Sequence, residues 1–434
     1  MALPGEEACR PVIDCGSGRW GTLPRDASTV HVDAGYGGSD GDGSEAKPFP
    51  TIAQAVAAAA PGVLVAVAAG LYPESIAVDK PVRLWGVCPD QVTVEGTGAA
   101  PGCPSATACI VEGADGTEIG GLALTGAGAG IALSGVVDVV VDRVRVHANL
   151  GRGVNIENTL GVTTVDVRGS LIEGNQDFGL LAMGSVVTVE GSTIRRTQPR
   201  PADGTNGIGI SIQTWCRDEV DGQRCDATAP SSGTVRGSII EQNHEVGVLV
   251  MGSESTIESS VVRGTLPLAH HPAFGRGVTV QMLCWDTPAG LACDPTVPSS
   301  AHIRGSLIDS NQDTGLLVYG SEVRVEASIV RDTSPRADDL LGDGIAVVAS
   351  ELGASATVEH SHVTRSARAG LAAFGSSVSL RATAIECSAF DLEGEVGAGL
   401  SFQLDDLGAN ACGCPPAAEG CQLVSVGLEP PLPQ

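Results

Sequence analysis

Two tryptophans, Trp215 and Trp285, stand beside cysteine pairs of matching spacing. Cys216 and Cys284 are 284 − 216 = 68 residues apart, Cys225 and Cys293 are 293 − 225 = 68 apart, and each pair encloses eight residues. The spacing predicts two loops closed by disulfides Cys216–Cys225 and Cys284–Cys293 and stacked on one side of the molecule. Closing so short a loop restricts the unfolded chain by roughly 2–3 kcal/mol. On such loops an exposed indole presents a flat apolar face on which a sugar ring can stack. The alternative is that each indole packs its own loop onto an outward row formed by Met183, Met251, Tyr319 and Phe374.

A second set of segments adds charge and imidazole. These are "QPRPADGTN" from Gln198, "LPLAHHPAFGR" from Leu266 and "SPRADDLLGD" from Ser334, which carry Arg200, His270, His271 and Arg336. The arginines are candidate ligand contacts. The histidine pair is a candidate base or metal ligand, although adjacent histidines in a proline-rich loop are also read as simply exposed. "DAGYGGSDGDG" at 33–43 offers Asp33, Asp40 and Asp42 as oxygen ligands for calcium, at a spacing that matches no defined calcium loop. Calcium is the one cofactor this pattern suggests.

The elements that must position these residues follow from a phrase that returns. "GSLIEGNQDFGLLAMGS" begins at Gly169, "GSIIEQNHEVGVLVMGS" at Gly237 and "GSLIDSNQDTGLLVYGS" at Gly305, a constant step of 68. The serine of this phrase runs Ser170, Ser192, Ser238, Ser260, Ser306, Ser328, Ser361 and then Thr383, in steps of 22, 46, 22, 46, 22, 33 and 22. Twenty-two residues fit one turn of a three-stranded coil, and the longer steps fit the same turn carrying inserted loops. Branched aliphatics hold fixed places in each turn, as in Val167, Val189, Val235 and Ile257 three residues before the serine and Ile172, Ile194 and Ile240 two after it. Inward-facing stacks of parallel strands require that placement.

The pattern resembles the right-handed parallel β-helix of the pectin-lyase-like superfamily over roughly residues 63–405. The opening "DGDGSEAKPFPTIAQAVAAAAPGVLVAVAAGLYPESIAV" is similar to that of pectin methylesterases among others. Within it, Thr51 and Gln54 predict a capped helix over about 51–60, stopped by Pro61-Gly62 and plugging the end of the stack. The expected organisation is an arm at 1–30, a cap with the first coils at 31–110, a parallel β-helix with loop insertions at 111–405 and a cysteine- and proline-rich tail at 406–434. The resemblance brings no catalytic residue. "QDT" at Gln312–Thr314 matches a pectin methylesterase fragment, yet Gln176-Asp177 and His244-Glu245 fill the same slot, and the remaining catalytic pattern is missing.

Two charge rows accompany the coils. Arg168, Glu190, Arg236, Glu258, Arg304 and Glu326 form one, and Glu173, Arg195, Glu241, Arg263, Asp309 and Arg331 form the other. Signs alternate from layer to layer, so a slip by one layer puts like charges in contact. Arginines and carboxylates in a groove also suit polysaccharide lyases, but a catalytic residue breaks a repeat and these make it. Asn175, Asn243 and Asn311, with Asn149 one layer earlier, read as turn residues that cap backbone groups.

Composition narrows the function classes. The charge balance is 25 − 51 = −26, which disfavours nucleic acid and anionic membranes and disfavours acidic polysaccharides without calcium or a local basic patch. No run of about 18 apolar residues suggests a membrane-spanning helix. Thirteen cysteines point to an oxidising compartment, hence a secreted, periplasmic or cell-surface protein whose leader lies outside this sequence. Thirteen is odd, so one thiol is left over. Cys9 with Cys15 is expected to close a small loop. Cys387, Cys412, Cys414 and Cys421 are expected to form two bridges, with zinc as the alternative, and Cys88, Cys103 and Cys109 leave one partner open. The leading functional reading is a non-catalytic β-helix that binds a neutral glycan or surface partner through the stapled loops. The alternatives are a carbohydrate-active enzyme (lyase, hydrolase or epimerase) acting beside the same loops, and a structural or self-associating surface element.

Overall fold

A computed structural model gives the structure; it describes the chain except residues 99–102, 104, 220–221, 269–273, 337 and 416–420. Two compact units, Met1–Thr197 and Gln198–Gln434, are described in turn.

In each unit the chain climbs as a coil that contributes one short strand to each of three parallel sheets. One turn of the second unit shows the plan. Ser232–Arg236 lies in the first sheet, Ile239–Glu241 in the second and Val246–Met251 in the third. Alternate residues point inward, and identical positions stack. Val235, Ile257, Ile303, Val325, Val358 and Leu380 pair in register from layer to layer and are all at most 1% exposed. Burying each such side chain contributes about 1.5–3 kcal/mol, which is why branched aliphatics recur at that place. The glycine that opens each third-sheet strand has a steric reason. A Cβ on Gly247 would lie 2.5 Å from Val262 Cγ1 and 2.6 Å from Gly277 O, so the neighbouring layers leave it no room.

The returning serine is explained by hydrogen bonding. Ser260 Oγ accepts the Ser238 N–H at 3.2 Å and donates to Glu258 O at 2.8 Å, and Ser306, Ser328 and Ser361 repeat the first contact at 3.1–3.2 Å. A second serine column, Ser253, Ser299 and Ser321, does the same at the other end of the first sheet. Asn311 Oδ1 accepts Thr265 N–H at 3.1 Å while its Nδ2 donates to Val262 O at 3.2 Å. Buried turn amides must find partners, and here the copy in the next layer supplies them.

The charge rows lie in register too. Arg236 faces Glu258, Glu258 faces Arg304 and Arg304 faces Glu326, and Arg304 Nη2 sits 2.8 Å from Glu258 Oε1. Glu326 then meets Glu359, and Arg324, which lies 3.6 Å from the first and 2.9 Å from the second, offsets that like-charge step. In the other row Arg263 reaches Glu241 at 2.7 Å and Arg331 reaches Asp309 at 2.9 Å.

The first unit is built alike. Arg168 pairs with Glu190 in backbone register, while its guanidinium bonds Asp166 of its own strand. Glu173 takes Arg145 from one layer and Arg195 from the other, each at 2.7 Å. The helix spans Ile52–Ala58, with Thr51 Oγ1 accepting Gln54 N–H. Glu74 accepts the Ile52 and Ala53 N–H groups at 2.8 and 2.9 Å, a carboxylate at the positive end of the helix. The expected Cys9–Cys15 loop does not form. Cys15 is bonded to Cys88, 73 residues on, and Cys9 is exposed and free. The arm lies against the coils, with Trp20 buried on Leu64, Ala66 and Ala68, and that packing brings Cys15 to the turn holding Cys88. Cys103 pairs with Cys109. In the second unit Cys387 pairs with Cys414 and Cys412 with Cys421, which leaves none of these four thiols for zinc.

A charge reversal in the Arg304 column tests how far the row holds the register. Arg304→Glu puts a carboxylate between Glu258 and Glu326, at a cost of about 1 kcal/mol per contact in water-like surroundings. Urea unfolding at low salt should show that loss, and about 1 M salt should restore part of it. An unchanged, salt-insensitive midpoint would show that the row does not contribute to stability.

Candidate functional site

The open polar face of the second unit is the outer side of its first sheet. Period-two alternation turns Thr234, Thr256, His302, Arg324 and Thr357 outward at the middle of successive strands, and serines or glutamates stand outward at their starts. Together they line a trough of about 500 Å³. Threonine is the rule in that row, and His302 and Arg324 break it. His302 Nε2 is 3.3 Å from Glu326 Oε2, and Arg324 bridges Glu326 and Glu359 as described above. Imidazole, carboxylate and guanidinium therefore meet on a floor of hydroxyls. The arrangement can hydrogen-bond a polyhydroxylated chain, and the His302–Glu326 pair can exchange a proton. Neither His302 nor Arg324 stood out in the linear pattern. The signal was their departure from the threonine row, visible once the serine steps align the turns.

The stapled loops leave the third sheet and lead into the first. Each is a small antiparallel hairpin, Cys216–Glu219 with Gly222–Cys225 and Leu283–Thr287 with Gly290–Asp294, closed by Cys216–Cys225 and Cys284–Cys293. The hairpins touch. A Cβ on Gly222 would fall 2.8 Å from Asp286 O. Trp215 and Trp285 are both half-buried, and the Arg217 guanidinium lies 5.9 Å from the Trp215 ring centroid. Both indoles are thus partly open, and the Arg217 guanidinium lies over the Trp215 ring.

The other candidates are placed differently. Arg200 is held within its own loop by Thr205 Oγ1 at 2.8 Å and Asp203 at 2.9 Å. Arg336 is held by Asp338 at 2.5 Å. His270 and His271 lie outside the described residues. Asp33 is paired with Arg19, Asp40 with Lys47 at 2.6 Å and Tyr36 Oη at 2.7 Å, and Asp42 accepts the Ser44 N–H. Lys47 first, then Tyr36, holds Asp40 at about 2. No group of three metal-ligating side chains gathers among the described residues.

The third sheet of this unit has a different outer face. One outward row runs Gln213, Met251, Gln281, Tyr319, Val348, Phe374 and Glu395, and a cluster around Phe374 is covered by Leu428. Charged groups are also buried at the strand starts of this sheet. Arg276, 2% exposed, bonds fully buried Asp313 at 2.8 Å, and Arg368 bonds fully buried Asp343. Burial raises Glu245 to about 7, opposed by the Gln434 side chain, the Asn206 N–H and the charges of Arg276 and Arg200. Burial first, and then the neighbouring Glu395, raise Glu393 to about 8. Asp343 is also raised by burial, against the pull of Arg368.

Comparison with known proteins agrees with this architecture. Residues 103–265 match the family described as a right handed beta helix region. The A-module of the Azotobacter vinelandii mannuronan C-5 epimerase AlgE4 is 14% identical, with 80% of this chain and 90% of that chain covered and a TM-score of 0.46. The pectate lyase Pel9A is 14% identical over 88% and 79% (TM-score 0.44), and an alginate lyase from Paenibacillus sp. str. FPU-7 is 15% identical over 71% and 91% (TM-score 0.40). Among curated proteins none matches this sequence. The matched region and the three parallel sheets make the fold a right-handed parallel β-helix.

The two raised carboxyls fix a pH response. Each has a native pKa above its unfolded value near 4.5, so the folded state binds the extra protons. Their stabilisation is fully present below about pH 4.5 and is lost as pH rises to 7 and 8, roughly 3 kcal/mol for Glu245 alone. Thermal midpoints should fall between pH 5 and pH 8. In Glu393→Gln the fall should be smaller, with a higher midpoint than wild type at pH 8 and little change at pH 5. Equal slopes in both proteins would contradict the assignment.

Proposed function

We propose that the protein binds a neutral glycan along the outer face of the first sheet of the Gln198–Gln434 unit, beside the stapled hairpins. The observation that carries this reading is the hydroxyl-lined trough with His302 and Arg324 set into its threonine row. Repeating donors at a layer spacing of about 4.8 Å suit an extended chain of hydroxyls, and the half-exposed Trp215 and Trp285 offer stacking faces at its border. A chain of net charge −26 repels polyanions, which favours an uncharged ligand. Six disulfides favour work outside a reducing cytosol, and no helix among the described residues is long and apolar enough to cross a membrane.

Titration calorimetry with neutral oligosaccharides tests the proposal. Arg324→Ala and the pair Trp215→Ala with Trp285→Ala should each weaken binding about tenfold or more, a loss of about 1.4 kcal/mol. Their thermal midpoints should stay within a few degrees of wild type. Binding that is unchanged in folded variants would remove these residues from the site.

One observation favours a second reading, catalysis in the same trough. His302 is paired with Glu326 and Arg324 lies beside the same carboxylate, so a proton carrier and a cation share one place. Incubation with a polysaccharide panel, followed by product sizing and sugar analysis, decides between them. Turnover that disappears in His302→Ala while binding persists would make the protein an enzyme, and no turnover leaves it a binder.

A further inference from the structure

The third sheet of the Gln198–Gln434 unit carries a cleft that the chain itself fills. Segment 425–434, "SVGLEPPLPQ", crosses the outer face of that sheet. Glu395 accepts the Ser425 hydroxyl at 3.0 Å and the Gly427 N–H. Arg368 donates to Glu429 O at 3.0 Å. Gln281 receives the Gln434 N–H at 3.0 Å and donates to Gln434 O at 2.5 Å, while Gln434 Nε2 donates to Glu245 at 2.5 Å. Leu428 packs on the Tyr319 and Phe374 cluster, and Pro431 is buried. Val426 and Leu432 are 49% and 73% exposed. No strand is formed within 425–434. The segment is thus held by a few polar contacts and two apolar ones, at Leu428 and Pro431, the make-up of a locally low-stability element.

The floor beneath it does not suit a permanent cover. Its outward residues Thr279, Gln281 and Glu393 are fully buried, and beside them Arg276 and Asp343 are buried at the strand starts, in register with the inward rows. Thr279 Oγ1, Arg276 Nη1, Glu245 Oε2 and both Glu393 oxygens lack hydrogen-bond partners. Each unsatisfied buried polar group costs about 1–3 kcal/mol. A floor evolved only to pack a strap would be apolar throughout, like its middle at Leu317, Val348 and Phe374. Instead, polar groups flank an aromatic platform, the combination that reads hydroxyls and stacks a sugar face. The outward row from Gln281 to Glu395 spans four layer steps, roughly 19 Å, long enough for an extended oligomer. The strap imitates such a ligand, with Leu428 over the rings and the Gln434 carboxamide on Glu245 and Gln281.

We propose that this face is a second binding cleft, closed in this structure by segment 425–434, and that an extended neutral oligosaccharide displaces the strap. Only the choice of ligand class rests on the glycan reading above. The cleft and its displaceable cover stand on the geometry of the third sheet.

The first variant of the test keeps the full chain and alters only the strap. Leu428→Asp with Gln434→Ala should loosen the strap, seen as faster limited proteolysis within 425–434. If the cut rate does not rise, a chain ending at residue 424 replaces this variant, its fold checked by far-ultraviolet dichroism. The probes are cello-, xylo- and chito-hexaose, measured by calorimetry. The strap variant should bind at least one probe ten times more tightly than wild type. A synthetic peptide of residues 425–434 should compete that gain away, and Phe374→Ala in the same background should abolish it. Equal affinities with a demonstrably released strap would overturn the cleft while leaving the first-sheet reading intact. Wild-type binding that vanishes in Arg324→Ala isolates the first-sheet site. Probe binding by the strap variant alone would support the cleft and count against that first-sheet reading, and no binding by any protein would defeat both.

Discussion

Everything in this molecule depends on layer-to-layer register. Consecutive turns of a parallel coil lie about 4.8 Å apart, so a position in the turn becomes a column along the body. Buried polar groups at the turns then have one dependable partner, their own copy a layer away. The serine columns exploit this most fully. A Ser260 hydroxyl receives an amide from the turn before and returns a proton to its own strand. Replacing one such hydroxyl by a methyl group leaves a buried amide without its partner, which is why the residue recurs while neighbouring loops vary in length. Aliphatic columns fill the interior by the same rule, and charged columns on the surface penalise a slip by one layer.

The rule also separates scaffold from site. Residues that obey the column are explained by stacking, as with Arg263 and Glu241 or Arg331 and Asp309. Residues that break it ask for another account. His302 and Arg324 interrupt a row of threonines, and the interruption coincides with a step in the outer charge row where two carboxylates, Glu326 and Glu359, face each other. Arg324 offsets that repulsion, which gives it a structural role beside the one proposed for it above. The two hairpins that lead into the first sheet are each closed by a disulfide, which restricts their unfolded states.

The third sheet shows the opposite balance. The sheet gathers carboxyls and guanidiniums at low exposure, which desolvation makes costly unless each charge is matched. Arg276 with Asp313 and Arg368 with Asp343 are matched. Glu245 and Glu393 are not, and their raised pKa values express the same cost as a preference for the neutral form. Segment 425–434 contributes to this environment at Glu245, which accepts the Gln434 side chain.

The amino-acid sequence by itself determined the coil. The 68-residue step, the serine spacing and the branched aliphatics at fixed offsets imply turn length, strand count per turn and inward face, because stacking converts one-dimensional periodicity directly into columns. It determined the hairpin bridges too, since Cys216 and Cys225 are near in the chain. What it left open has a common physical cause: contacts between residues far apart with no shared period. Cys15 meets Cys88 rather than Cys9 because the arm folds back on the coils around Trp20. Arg200 and Arg336 look like free cations in the linear chain but are tied to Asp203 and Asp338. The closing of the third sheet by segment 425–434 lay beyond periodic reasoning, because a strap without a repeat can dock wherever side chains receive it. Only the tertiary structure decided that Gln434 meets Glu245 and Gln281, across 189 and 153 residues of chain.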